Sequence, residues 1–96
     1  MSTRIYQRDG ATKTRIDVIH NADGSVTVSG YDWGSAPEAA FGRDELDYAL
    51  TIPAHAVPAA LTALLRAVLA PSETPMTTLR AALEADQVDH KFQILP

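Results

Sequence analysis

Lys13-Thr14-Arg15-Ile16-Asp17-Val18-Ile19-His20, Asn21-Ala22-Asp23-Gly24 and Ser25-Val26-Thr27-Val28-Ser29 read together as two strands and the turn between them. β-branched residues dominate both flanks and alternate with polar ones, the period-two pattern of a half-buried strand. Ile16 and Val18 point to one side, Arg15 and Asp17 to the other, and Val26 and Val28 resume the apolar side after the turn. The Asn, Asp and Gly between them supply positive φ and side-chain-to-backbone bonding, which a tight hairpin needs.

Upstream, residues 3–8 form a further strand, and Asp9-Gly10 turns it back onto the hairpin, so a three-stranded antiparallel meander is expected. Downstream, Gly30 to Asp44 breaks the alternation with three glycines, a proline and three aromatic residues. This stretch is expected to be a long loop, with one helical turn around residues 37–41. Loops of that length more often carry function than hairpin tips do. Alternation resumes over residues 45–52, with Leu46, Tyr48, Leu50 and Ile52 inward and Glu45, Asp47 and Thr51 outward, and Pro53 ends that strand.

Residues 54–70 place Val57, Leu61, Leu64, Leu65, Val68 and Leu69 at helical spacing, with Pro58 tolerated in the first turn and Pro71 as the stop. Thr74 as N-cap and Pro75 at the first helical position open a second helix to about Asp86, its stripe formed by Met76, Leu79 and Leu83. The tail alternates again at Val88, Phe92 and Ile94 and is expected to add a last strand. The order β-β-β-β-α-α-β describes one α+β domain over residues 1–96. Its antiparallel sheet has four to five strands, and two amphipathic helices cover one face of it.

The chain has 96 residues, no cysteine and a net charge of −4. Cysteine-free sequences exclude disulfides and thiolate zinc sites. No apolar run reaches the roughly 18–20 residues that span a bilayer, and the first residues lack a signal-peptide core. A cytoplasmic location is the expectation. Charge is uneven: residues 1–15 are basic, through Arg4, Arg8, Lys13 and Arg15, whereas residues 16–50 set seven carboxylates against Arg43 alone. An acidic balance opposes nucleic-acid binding, because phosphate contacts dominate that affinity.

Catalytic patterns do not emerge. No serine sits in a nucleophile elbow, and His20, His55 and His90 fall on separate elements without the i,i+4 spacing of a helical metal site. Gly30-Tyr31-Asp32-Trp33-Gly34 places bulky rings where a phosphate cradle needs bare backbone. The expectation is a non-enzymatic chain with no cofactor, no metal and no membrane partner.

Partner-binding candidates cluster in residues 31–47: Tyr31, Asp32, Trp33, Glu38, Phe41, Asp44, Glu45 and Asp47. Aromatic anchors ringed by charge suit a protein interface. The alternative is that Trp33 and Phe41 fold back and seal the open end of the core, since small chains seldom leave large rings outside.

The run Asp23-Gly24-Ser25-Val26-Thr27-Val28-Ser29-Gly30-Tyr31-Asp32-Trp33-Gly34 resembles a segment shared by a widespread group of small, largely uncharacterised bacterial proteins. In that group, as here, an acidic strand follows and ends in Thr-hydrophobic-Pro before a helix; the matching residues are Phe41 to Pro53. Leu79 to Leu95 is similar to the group's C-terminal end, and the likeness covers most of the chain from about residue 15. Some members are associated with immunity proteins that neutralise toxins of competing bacteria. The resemblance therefore implies an immunity-type inhibitor of a basic toxin and assigns no catalytic residue. The competing expectation is a self-associating module, a homodimer through an edge strand such as 3–8 or 88–95.

Overall fold

The computed structural model describes residues 2–35, 39, 42 and 44–95. The chain divides into two compact units, Met1–Ala60 and Leu61–Pro96, and each is described by itself.

The first unit holds a four-stranded antiparallel meander: β1 (Ser2–Arg8), β2 (Thr12–His20), β3 (Val26–Gly34) and β4 (Glu45–Ile52), adjacent in that order. The hairpin turn between β2 and β3 is a polar network. The Asn21 N–H donates to the Ser25 carbonyl at 2.9 Å, and the Gly24 N–H to the Asn21 carbonyl at 3.0 Å. Asp23 accepts from both the N–H (2.9 Å) and the hydroxyl (2.6 Å) of Ser25. Asn21 donates its side-chain amide to Ser25 Oγ at 2.9 Å and Thr27 Oγ1 at 3.0 Å. Gly24 takes φ +89°, where a side chain would be strained. The Ser25 bonds hold the Asp23 carboxyl below its usual pKa.

This turn sets Ile16 opposite Gly30 and Val18 opposite Val28; on the far side Val28 meets Leu50 and Gly30 meets Tyr48. Because a strand's side chains alternate, these registers sort the sheet into two faces. One carries Ile16, Val18, Val26, Val28, Leu46, Tyr48, Leu50 and Ile52; the other carries Lys13, Arg15, Asp17, Tyr31, Trp33, Glu45 and Asp47. At the N-terminal edge Arg4 lies opposite Asp17 and binds its carboxylate at 2.6 Å, and a bulge interrupts the ladder between Arg4 and Tyr6.

One expectation is corrected here. Gly30 to Gly34 is not loop: it is the second half of β3, paired with β2 throughout and with β4 as far as Trp33. The glycines in it are strand residues with steric duties. Gly34 sits at φ +124°, and a Cβ there would lie 2.2 Å from the Ala11 carbonyl oxygen. The helical turn expected around residues 37–41 falls largely outside the described residues.

Pro53 leads into a single 3-10 turn, Ala54–Ala56, and then α1 (Val57–Leu69), which runs on into the second unit. After Pro71, α2 spans Pro75–Ala85 with Thr74 at the N-cap and Pro at its first position, as the sequence indicates. Thr74 makes no side-chain cap bond. Ser72 organises the turn instead, its hydroxyl accepting the Thr74 N–H at 3.1 Å and pairing with the Thr78 hydroxyl at 2.8 Å.

A second correction concerns the tail. Residues 88–95 form no strand, so among the described residues the structure gives a four-stranded sheet and the two expected helices, an α+β arrangement without the final β. The end of α2 explains how the chain leaves the helix. Gln87 adopts φ +56°, its N–H bonds the Glu84 carbonyl at 3.1 Å, and the Val88 N–H bonds the Leu83 carbonyl at 2.9 Å. This pair is the Schellman closure. It commits the first amide of the expected strand to the helix. The Arg80 guanidinium stacks on the Phe92 ring at 4.1 Å and holds the tail against α2. Alternating apolar residues make a strand only where a neighbouring ladder accepts them.

Gln87 occupies the left-handed position that glycine fills at least cost. Gln87→Gly is expected to raise the unfolding free energy by about 0.5–1 kcal/mol. Chemical denaturation monitored by circular dichroism reads that change.

Candidate functional site

On the polar face, cross-strand pairing juxtaposes three kinds of side chain. β2 supplies Lys13 and Arg15, β3 supplies Trp33 and Tyr31, and β4 supplies Glu45 and Asp47; Lys13, Trp33 and Glu45 form one transverse row, and Arg15, Tyr31 and Asp47 the next. The Tyr31 and Trp33 ring centroids lie 4.9 Å apart at 39°. Arg15 sits 5.1 Å and Lys13 5.9 Å from the Trp33 ring centre. At exposed sites such contacts contribute about 0.5–1 kcal/mol each. Arg15 is further fixed by the Asp9 carboxylate at 2.8 Å and the Thr14 carbonyl at 3.0 Å. The Arg15 bond is the main reason that Asp9 titrates below the usual carboxylate range.

The result is a graded surface: basic on β2, aromatic on β3, acidic on β4. Tyr31 takes its environment from the acidic side. Partial desolvation, then hydrogen bonding to Glu45, then the charges of Glu45, Asp47 and Asp44 raise its hydroxyl pKa above the usual value.

The expected candidates therefore separate. Tyr31, Trp33, Glu45 and Asp47 share the polar face. Trp33 is half-buried there, opposite to the side that carries Ile16 and Val18. Asp44 precedes β4, and its carbonyl accepts the Gly34 N–H at 2.8 Å. Asp32 points to the apolar face, where it accepts the Tyr48 hydroxyl at 3.0 Å. Glu38 and Phe41 lie outside the described residues. Lys13 and Arg15 were not among the candidates. The alternation by itself places Arg15 on the side of β2 opposite Ile16 and Val18, and it is the pairing of β2 with β3 that brings Arg15 and Lys13 to the tryptophan.

Gly30 explains why Asp32 and Tyr48 can meet. The tyrosine ring lies against the Gly30 backbone, and a Cβ built on Gly30 would fall 2.0 Å from Tyr48 Cε2. Burial, followed by the bond to Asp32, raises the Tyr48 hydroxyl pKa. Gly30, Asp32 and Tyr48 thus form one structural unit that clamps β4 to β3. A shallow concavity of about 480 Å³ opens beside it, lined by Arg8, Gly10, Ala11, Thr12, Thr14 and Asp32.

Comparison with family models, curated proteins and solved structures found no match to this chain.

Two outcomes are expected. Gly30→Ala should destabilise the sheet by about 2–3 kcal/mol, as overpacking against a ring does, and Tyr48→Ala in the same chain should remove most of that penalty; a denaturation double-mutant cycle measures the coupling. Glu45→Gln should move the Tyr31 pKa down towards about 10, read by tyrosine NMR titration. With the folded value raised, stability from this group is full below the unfolded pKa and is lost as pH rises through the folded one.

Proposed function

We propose that this chain is a non-enzymatic protein-binding module, an immunity-type inhibitor, whose polar sheet face meets a basic protein partner in the cytoplasm. Trp33 and Tyr31 act as anchors, and Glu45 and Asp47 provide the charged flank. The observation that carries this reading is the pairing of Tyr31 with Asp47 and Trp33 with Glu45 on one face. Large rings with carboxylates directly beside them are a common composition for an interface centre and its rim. The net charge of −4 supports attraction of a basic partner, and such steering raises association rates in a salt-dependent way. A toxin that acts on nucleic acid presents a basic active site, which an acidic surface can block. The immunity role draws on the resemblance of residues 23–34, 41–53 and 79–95 to the bacterial group named above.

Arg15 and Lys13 refine the contact. They line the side of Trp33 away from the acids, so the partner is expected to place its cations over β4 and its own carboxylates or backbone carbonyls towards β2. This division gives orientation as well as attraction.

The test is retention of partners from host lysate on immobilised wild type, Trp33→Ala and the Glu45→Lys/Asp47→Lys double variant, at low and moderate salt. One basic protein should bind the wild type stoichiometrically and weaken with salt. Trp33→Ala should lower its affinity by about 2 kcal/mol, as hot-spot truncation does, and the charge reversal should slow association at least about tenfold. Equal retention by all three folded proteins would refute the reading.

A further inference from the structure

Among the described residues, β4 is the sheet's second edge. The two edges are built differently. β1 is blunted by the bulge between Arg4 and Tyr6 and carries Arg4 and Arg8 along its length. Bulges and charge along a strand are how sheets discourage further pairing. β4 keeps an unbroken register from Glu45 to Ile52 and confines its two charges to its first residues. Its other residues include Leu46, Tyr48, Leu50 and Ile52, of which Tyr48 is 40% and Leu50 58% exposed. A regular, apolar edge of this kind is a template for another strand.

We infer that β4 pairs antiparallel with β4 of a second copy of this chain, joining two sheets into one of eight strands about a two-fold axis at Ala49. The sequence of the strand is self-complementary in that register. Ala49 meets Ala49, Asp47 meets Thr51, Tyr48 meets Leu50 and Leu46 meets Ile52. Glu45 falls opposite Pro53, beyond the ladder. No like charges oppose each other, which removes the cost that usually prevents identical strands from pairing. The register shifted so that the axis lies at Asp47 would set carboxylate against carboxylate and is excluded on that ground. The two-fold operation keeps like faces together, so the apolar faces of both sheets become continuous, and the contact is closed rather than fibre-forming. The polar faces also align, and the two Trp33-bearing strands come to lie about 14 Å apart, three strand spacings. This inference stands independently of the partner reading, because it rests on β4 alone.

A single strand pair buries less than the roughly 1,000 Å² of a stable interface. Dimerisation is therefore expected in the micromolar range and calls for measurement up to about 0.5 mM protein. The chain contains no cysteine, which permits a clean cross-linking test. Directly opposite residues in an antiparallel pair have Cα atoms about 4.5–5.5 Å apart, within disulfide reach. Ala49→Cys should oxidise to a covalent dimer at least about tenfold faster than Thr3→Cys on β1. Asp47→Cys should cross-link preferentially with Thr51→Cys. Sedimentation should give a concentration-dependent dimer of the 10.3 kDa chain, and Ala49→Lys, which puts two ammonium groups on the axis, should abolish it with an unchanged circular dichroism spectrum. A wild type that stays monomeric to about 0.5 mM, or equal cross-linking at positions 3 and 49, overturns the inference. A dimer that Ala49→Lys leaves intact shows that another surface is used and overturns it as well.

Discussion

Everything that can be said of this sheet's two faces depends on the hydrogen-bonded turn from Asn21 to Ser25. Asp23 holds the Ser25 N–H and hydroxyl, Asn21 reaches on to Thr27, and Gly24 supplies the positive φ. The turn thereby fixes which residue of β2 faces which residue of β3. A slip of one position would exchange the faces and send Trp33 to the side of Ile16 and Val18. The Gly30–Tyr48 contact makes the same choice at the next interface, because only glycine admits the ring. Local polar chemistry sets one register and a steric vacancy sets the next. The polar face, with its rows of basic, aromatic and acidic side chains, is a product of both.

The legible parts of the fold were those whose signal is local. The alternation in residues 13–29 and 45–52, the Asn21–Gly24 turn, and the Thr74-Pro75 opening of α2 all correspond to what the chain forms. What escaped was relational. Gly30 to Gly34 looked like loop because glycine and aromatic residues obscure alternation. The reason for Gly30 lies eighteen residues away in a tyrosine ring, and that for Gly34 in the carbonyl of Ala11. The tail failed in the opposite sense: its alternation was clear, but the amide of Val88 and the ring of Phe92 are engaged by α2. Of the candidate surface, the aromatic and acidic members could be picked out, whereas the cations required knowing that β2 lies beside β3.

The polar face also shows how a chain of acidic net charge can hold a local dipole. Arg15 and Lys13 stand over one side of Trp33, and Glu45 and Asp47 lie on the strand across from it. A uniformly acidic patch attracts any cation, whereas a surface divided by an aromatic ridge favours a partner whose own charges are divided the same way. Under the proposed binding role, discrimination would come from the orientation imposed on an approaching molecule as well as from the sum of the charges.

Trp33 is the chain's single tryptophan, and it sits between the basic and acidic strands with Tyr31 beside it. The protein's indole emission therefore originates at one address, and its energy and quenching depend on the cations above the ring. A molecule that settles on this face perturbs that light directly, whereas one that binds the opposite face leaves it largely unaltered. The unlabelled chain carries its own reporter on the polar face of the sheet.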